Sequence, residues 1–270
     1  MPAMHEIDYK IIGEDMQFVE VELDPGEATV AEAGAMMYME DGIEMETIFG
    51  DGSQQQGGGF LGALMGAGKR LLTGESLFMT VFFNRANGKR KLAFGAPYPG
   101  KIVAVHLAEI GGELIAQRDS FLAAAKGVSI GIAFQRRLGV GLFGGEGFIM
   151  ERLQGDGWLF VHAGGTLLQR ELKPGETLRI DTGCIVAFQP SVSYDIQYVG
   201  KIKSALFGGE GLFFARLRGP GRVLLQTMPF SRLADRILAA APGRREHRAE
   251  RLGAAGIIGG VIGSMMDSDR

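Results

Sequence analysis

One short pattern occurs three times along this chain: Thr73-Gly74-Glu75-Ser76-Leu77-Phe78, Gly144-Gly145-Glu146-Gly147-Phe148-Ile149 and Gly208-Gly209-Glu210-Gly211-Leu212-Phe213. Its glutamates are 71 and 64 residues apart (146 − 75 and 210 − 146), the period of a small supersecondary unit used repeatedly. A second anchor keeps the same phase. Val30-Ala31, Leu122-Ala123 and Val186-Ala187 each open a small apolar run, and the anchor precedes the glutamate by 24 residues in both later copies (146 − 122 and 210 − 186). In the first copy the distance is 45 (75 − 30), and the surplus of 21 (45 − 24) has an owner. The Gly-rich stretch from Asp51 to Arg70 has no counterpart in the other copies. The chain reads as one unit used three times, with an insertion at 51–70 in the first.

Asn87-Gly88, Gly155-Asp156-Gly157 and Gly219-Pro220-Gly221 recur in matching places and read as hairpin tips, because Gly and Asn supply the positive φ of tight turns. Strand patterns flank each tip: Phe78 to Phe83 and Lys91 to Phe94, Phe148 to Leu153 and Trp158 to Val161, Leu212 to Leu217 and Arg222 to Leu225. Short apolar and β-branched runs bounded by Gly and Pro are strand signals. The 43 glycines among 270 residues amount to about twice ordinary usage, which suits a fold dense in turns. Helical spacing is confined to Phe230, Leu233, Ile237 and Leu238, with Ser231 as a candidate N-cap and Pro242-Gly243 as the stop. The expectation is an all-β protein of β-sandwich units repeated three times about a pseudo-threefold axis, closed by a short C-terminal helix. Its parts are a first unit over 1–112, a second over 113–175, a third with the helix over 176–241, and a tail over 242–270.

Metal and nucleophile chemistry find little to work with. The histidines are His5, His106, His162 and His247, and none falls in an H-x-H or H-E-x-x-H spacing. The single Cys184 cannot form an internal disulfide, and within Gly183-Cys184-Ile185-Val186-Ala187-Phe188 it reads as a buried, inert thiol. A Walker A loop is missing. The Gly-rich run Gly139 to Gly145 leads into a strand pattern where a phosphate loop needs a helix. No cofactor is expected. The formal charge of −3 argues against a globally basic nucleic-acid binder. The first residues carry no basic stretch followed by an apolar core, so a cytoplasmic location is expected.

The repeated Glu75, Glu146 and Glu210 are the best polar candidates. Converging on an axis, three carboxylates would bind a cation or raise one another's pKa; placed away from it, they accept hydrogen bonds from turn amides, which is the preferred reading. Two Gly-rich apolar segments stand outside the repeat, one with Phe60, Leu61, Leu64 and Met65, the other with Ile257, Ile258, Val261 and Ile262. The second, about 15 residues long, is short of the roughly 20 needed to span a bilayer. Both are candidate contact surfaces for a protein partner, a second copy or a membrane surface.

Several motifs together carry a family resemblance: Pro25-Gly26-Glu27 leading to Ala31-Glu32-Ala33-Gly34-Ala35-Met36, the insertion ending in Thr73 to Phe78, Pro99-Gly100-Lys101-Ile102, Gly144 to Gly147, and Phe207 to Leu212. Over roughly residues 5 to 235 the chain resembles bacterial proteins related to the mitochondrial protein named for altered inheritance of mitochondria. The resemblance implies a fold like that of the tryptophan RNA-binding attenuator protein, a double-stranded β-helix type of sandwich repeated within one chain. It also implies a part in organising the inner membrane, hence peripheral contact there. That family has no established catalytic or ligand site, so no functional residue carries over. The expected function is a non-catalytic β-scaffold working through protein or membrane contacts, not an enzyme. A small-ligand or RNA-binding module is the alternative.

Overall fold

The computed structural model describes residues 6–32, 34–49, 78–136, 148–198 and 213–240. The first unit holds β1 (Asp8–Ile12), β2 (Phe18–Leu23), β3 (Ala28–Glu32), β4 (Met36–Met39), β5 (Ile43–Phe49), β6 (Phe78–Asn84) and β7 (Arg90–Gly95). The second holds β8 (Gly100–His106), β9 (Glu113–Gln117), β10 (Phe121–Ala125), β11 (Ser129–Arg136), β12 (Phe148–Gln154) and β13 (Trp158–Gly164). The third holds β14 (Leu167–Leu172), β15 (Thr177–Asp181), β16 (Ile185–Phe188), β17 (Ser193–Tyr198), β18 (Phe213–Arg218) and β19 (Gly221–Gln226), and helix α1 (Phe230–Ala240) follows. The class is all-β with one short terminal helix, as expected.

Strand pairing repeats with the sequence. In each unit one sheet has the order β2-β7-β4, β8-β13-β10 or β14-β19-β16, and the other β5-β6-β3, β11-β12-β9 or β17-β18-β15. The units are then welded edge to edge. Strand β3 pairs with β10, setting Ala31 opposite Ala123, and β9 pairs with β16, setting Ala116 opposite Ala187. Four antiparallel sheets result: β1-β2-β7-β4, the six-stranded β5-β6-β3-β10-β13-β8 and β11-β12-β9-β16-β19-β14, and β15-β18-β17.

Three cores lie between successive sheets. Val19, Val21, Leu92 and Phe94 of the first sheet meet Phe82, Ile102 and Phe160 of the second. Val30, Val81, Leu159 and Val161 on the second sheet's other face meet Leu114, Leu153 and Leu224 of the third. Met150, Val223 and Leu225 on the third's other face meet Ile180, Ile196 and Leu217 of the last. Each side chain of this size contributes roughly 1.5–3 kcal/mol on burial. The edge-to-face pair of Phe82 and Phe94, centroids 5.3 Å apart, adds about 0.5–1.5 kcal/mol beyond its area.

The sequence pattern follows from this layering. The first sheet has one wet face, so β2 alternates, with Val19, Val21 and Leu23 fully buried and Glu20 and Glu22 outward. On that wet face Lys89 bridges Asp8, Glu22 and Asp24 at 3.3, 2.8 and 3.4 Å, and Lys91 reaches Glu20 at 2.9 Å. The inner sheets are covered on both faces, so β10, Phe-Leu-Ala-Ala-Ala, and β16, Ile-Val-Ala-Phe, are buried at every position.

Three expectations need correcting. The repeated turns after β6, β12 and β18 are not hairpin tips, because each joins strands of different sheets: β6 pairs with β5 and β3, while β7 pairs with β2 and β4. They are arches that carry the chain across a core. The expected break at 112 falls between β8 and β9, inside the group of strands that pair as the second unit. Helix α1 begins at Phe230, placing Ser231 in its first turn instead of at the N-cap. Among the described residues no helix is long and apolar enough to cross a membrane.

Two opposed glycines bring β8 and β13 into contact: Gly100 pairs with Gly164. A Cβ on Gly100 would stand 2.1 Å from the Ala163 carbonyl oxygen and 2.6 Å from His162 Nε2. Gly100→Ala is expected to destabilise the protein by about 1–3 kcal/mol through overpacking. Chemical denaturation compared with the exposed control Gly26→Asn checks this.

Candidate functional site

Glu75, Glu146 and Glu210 lie in the β5–β6, β11–β12 and β17–β18 connections, outside the described residues. So do Phe60, Leu61, Leu64, Met65, Ile257, Ile258, Val261 and Ile262. Cys184 belongs to a 3₁₀ turn, Thr182–Cys184, not to the strand that follows; it is half-buried against the third core. His106 stacks on Trp158 with centroids 4.7 Å apart. His162 is enclosed against the edge of Tyr98 at 4.5 Å, and burial pushes its pKa down to about 4, the Tyr98 backbone opposing the shift. It is a neutral core imidazole.

Two arrangements of polar groups were missed by sequence reasoning. The first is a groove of about 420 Å³ where the second unit meets the third, within the size range of small-molecule sites. Strands β9, β11 and β12 supply Glu113, Phe134 and Arg152, and β16 and β17 supply Phe188, Tyr194 and Asp195. Tyr194 lies parallel to Phe188 at 5.6 Å and 30° from Phe134 at 4.7 Å, so the rings form one aromatic wall. At the rim Arg152 Nε is 3.4 Å from Glu113, whose carboxylate also accepts a hydrogen bond from Gln154 at 2.9 Å.

The second is a buried carboxyl pair. Glu151 on β12 has no exposed surface, and neither of its carboxyl oxygens finds a hydrogen-bond partner among the described residues. Its register explains the burial: Glu151 pairs with Ala116, where Thr80 pairs with Ala31 and Ala215 with Ile180 in the sister units. A carboxyl occupies a position that is small or hydroxylated elsewhere. Burial raises its pKa well above the usual range, and Glu32 at the end of β3 and Asp119 add to this while Arg118 opposes it. Glu32 is pushed up to about 7 by burial and then by Asp119, again opposed by Arg118. The field of Glu32 thus adds to the burial that favours the protonated form of Glu151. Glu32 stands within the motif Ala31-Glu32-Ala33-Gly34, and Glu151 interrupts the apolar run Phe148-Ile149-Met150. Aligning the three units was the signal that could have found both. Among the described residues no group of three or more His, Cys, Asp or Glu side chains is placed to hold a metal ion.

Comparison with known proteins gives one consistent picture. The family described as Mitochondrial biogenesis AIM24 matches residues 9–228. An uncharacterised protein of Streptococcus pyogenes serotype M6 is 30% identical over 237 residues, covering 86% of this chain and 90% of that protein. A crystal structure of a Streptococcus pyogenes protein from a structural genomics programme superposes with a TM-score of 0.68 at 24% identity, covering 87% of this chain and all of the other. That likeness is one of fold.

The carboxyl pair sets a pH dependence whose sign follows from linkage. Between the unfolded value of 4.5 and the folded value of about 7, the folded state binds more protons than the unfolded, so stability falls as pH rises through this window. Above it the cost is complete. Glu32→Gln is expected to flatten the dependence of melting temperature on pH between 4.5 and 7. Glu151→Gln, which removes the titrating group, is expected to become more favourable relative to the wild type as pH rises. Thermal melts across this range decide the matter, and unchanged profiles would remove the pair from the account.

Proposed function

Since the chain belongs to the AIM24 mitochondrial-biogenesis family, we propose that it works as a non-catalytic β-scaffold through contacts of its sheet edges with protein partners or with a second copy. The observation that supports this is β4. Its counterparts β10 and β16 have both edges paired and every residue buried. Among the described residues β4 pairs with β7 alone, and Met37, Tyr38 and Met39 are exposed by 56%, 36% and 36%. A free edge without lysine or proline is a ready template for another strand, and methionine adapts to irregular partners. The one polar group among these side chains is already engaged, the Tyr38 hydroxyl donating to Glu20. The matching edge of β15 is likewise unpaired among the described residues, so the chain carries both halves of the junction it makes twice internally. Helix α1 adds a separate amphipathic element, with Leu233, Ile237 and Leu238 at helical spacing.

Peripheral association with a membrane surface fits the same reading through α1 and the apolar segments at 52–70 and 252–266. A second reading, a small-ligand-binding module, draws on the aromatic groove between β11 and β17.

The double variant Met37→Lys with Met39→Lys places charge on the free edge without entering a core. Native-size measurement in cell extract and sedimentation of the purified full chain are the readouts. The wild type is expected to run larger than a monomer in extract, and the variant to run as a monomer with its melting temperature unchanged. A wild type that is monomeric in both settings and unaffected by the lysines would sink the scaffold reading.

A further inference from the structure

We infer that the open edge of β4 docks on the open edge of β15 in a second copy of this chain, so that copies join head to tail and remake between them the junction each makes twice within itself. The inference rests on the edge-contact reading and names its partner. Strand registers fix the geometry. Strands β4, β10 and β16 carry the same bulge against β7, β13 and β19, which makes Met37, Tyr38 and Met39 the counterparts of Leu122, Ala123 and Ala124 and of Val186, Ala187 and Phe188. At the first junction Ala123 and Ala124 pair with Ala31 and Val30, and at the second Ala187 and Phe188 pair with Ala116 and Ile115. On β15 the matching residues are Ile180 and Arg179, because Ile180 follows Ala116 by 64 positions (180 − 116), the offset that also separates Ala187 from Ala123 (187 − 123). The docked register therefore sets Tyr38 of one copy opposite Ile180 of the other, and Met39 opposite Arg179.

Exposed apolar side chains mark both halves of this junction. Among the described residues outside α1, the large ones open to solvent are Met16, Met37, Tyr38, Met39, Met45 and Leu168, and all but Met16 stand where a neighbouring unit covers the counterpart. Those of the first unit lack a unit before them. The counterparts of Met37, Tyr38 and Met39 are buried at both junctions. Met45, opposite Phe82, matches Ile130, opposite Leu153, and Ile130 is buried in the second core with Val30 and Val81 of the preceding unit. Leu168, in the last unit, lacks a unit after it. It lies opposite Leu225 as Val19 lies opposite Phe94 and Val103 opposite Val161. Val19 shares the first core with Phe160 of the following unit, and Val103 packs on the second core, which holds Leu224 of the following unit. A copy of the chain supplies each end with the unit it lacks, whereas β4 against a second β4 would leave β15 and Leu168 uncovered.

Charge on the far face of the last unit is compatible with this contact. At the second junction the place of Val81 is taken by Arg152, which lines a groove together with Tyr194 and Asp195 of the next unit. In the last unit that place belongs to the exposed Arg216, and the strand that would approach it, β5, carries the opposite charge of exposed Glu46. The contact is heterologous, with a different surface on each side, so one chain engages two neighbours at once.

Cross-linking of the purified full chain reads the register directly. In a Cys184→Ser background, Met39→Cys in one variant and Arg179→Cys in another place thiols at exposed positions that docking sets directly opposite, within the Cα separation a disulfide spans. Mixed and oxidised with copper phenanthroline, the two variants are expected to give a disulfide-linked dimer on non-reducing gels, and neither alone to give one. The chain carrying both substitutions is expected to give a ladder of higher species. Replacing Arg179→Cys by Thr177→Cys, two residues along the same strand, is expected to lower the yield about tenfold. A dimer from Met39→Cys alone would set β4 against β4, equal yields from Arg179→Cys and Thr177→Cys would mark random collision, and absence of any cross-link would leave purified copies apart; each of these overturns the inference. In the last case, loss of a large species from extract in the Met37→Lys, Met39→Lys variant would still support the edge-contact reading, with a different protein on β4.

Discussion

Everything in this fold rests on two short antiparallel contacts, β3 with β10 and β9 with β16. They turn three small sandwiches into one body, because each merges half of one unit with half of the next into a single sheet. The residues that meet there are small. Ala31 faces Ala123 and Ala116 faces Ala187, and all four are completely buried. Small side chains are required because a core presses on each face of the merged sheet, so any added bulk has no solvent side to turn toward. Neighbouring positions divide the work: Ala31 and Phe82 serve the first core, Val30 and Val81 the second.

The same constraint explains the chemistry of the two ends. Where no further sheet follows, positions that feed the next core change character. Val30 and Ile115 correspond to Arg179 in the last unit, and Val81 corresponds to Arg216, both exposed. The first sheet shows Glu20, Glu22 and Lys91 on its outer face. These are the polar outer surfaces that a terminal repeat needs for solubility. They sharpen the contrast with β4, whose exposed side chains are methionine and tyrosine, and with the groove, where polarity enters between two units instead of at an end.

Much of the architecture was legible because it was written three times. The runs Phe78 to Phe83, Phe148 to Leu153 and Trp158 to Val161 became strands at nearly those bounds. The arches were misread as hairpins, since a glycine turn between two apolar runs looks the same whether the strands pair with each other or cross to different sheets. Pairing partners, not local propensity, make that distinction. The groove was illegible for a related reason. Glu113 and Asp195 belong to different units, and only the β9–β16 weld brings their strands together. Glu151 is the instructive case: it follows Phe148-Ile149-Met150 where a one-faced strand could turn an acidic residue to solvent, and only setting it beside Thr80 and Ala215 marks it as a substitution at a core position.

The shared sheets also bear on how such a chain could have arisen and how it can change. In an ordinary repeat array, modules meet across an interface and can be added or removed one at a time. Here the wall between neighbours is common property, since β3 and β10, or β9 and β16, complete a layer that lines two cores at once. Removing the middle unit would take side chains out of all three cores at once, and Val30 and Val81 would lose Leu114 and Leu153, their partners across the second core. A change in the number of units would have to be absorbed by shared walls and not at a separable interface.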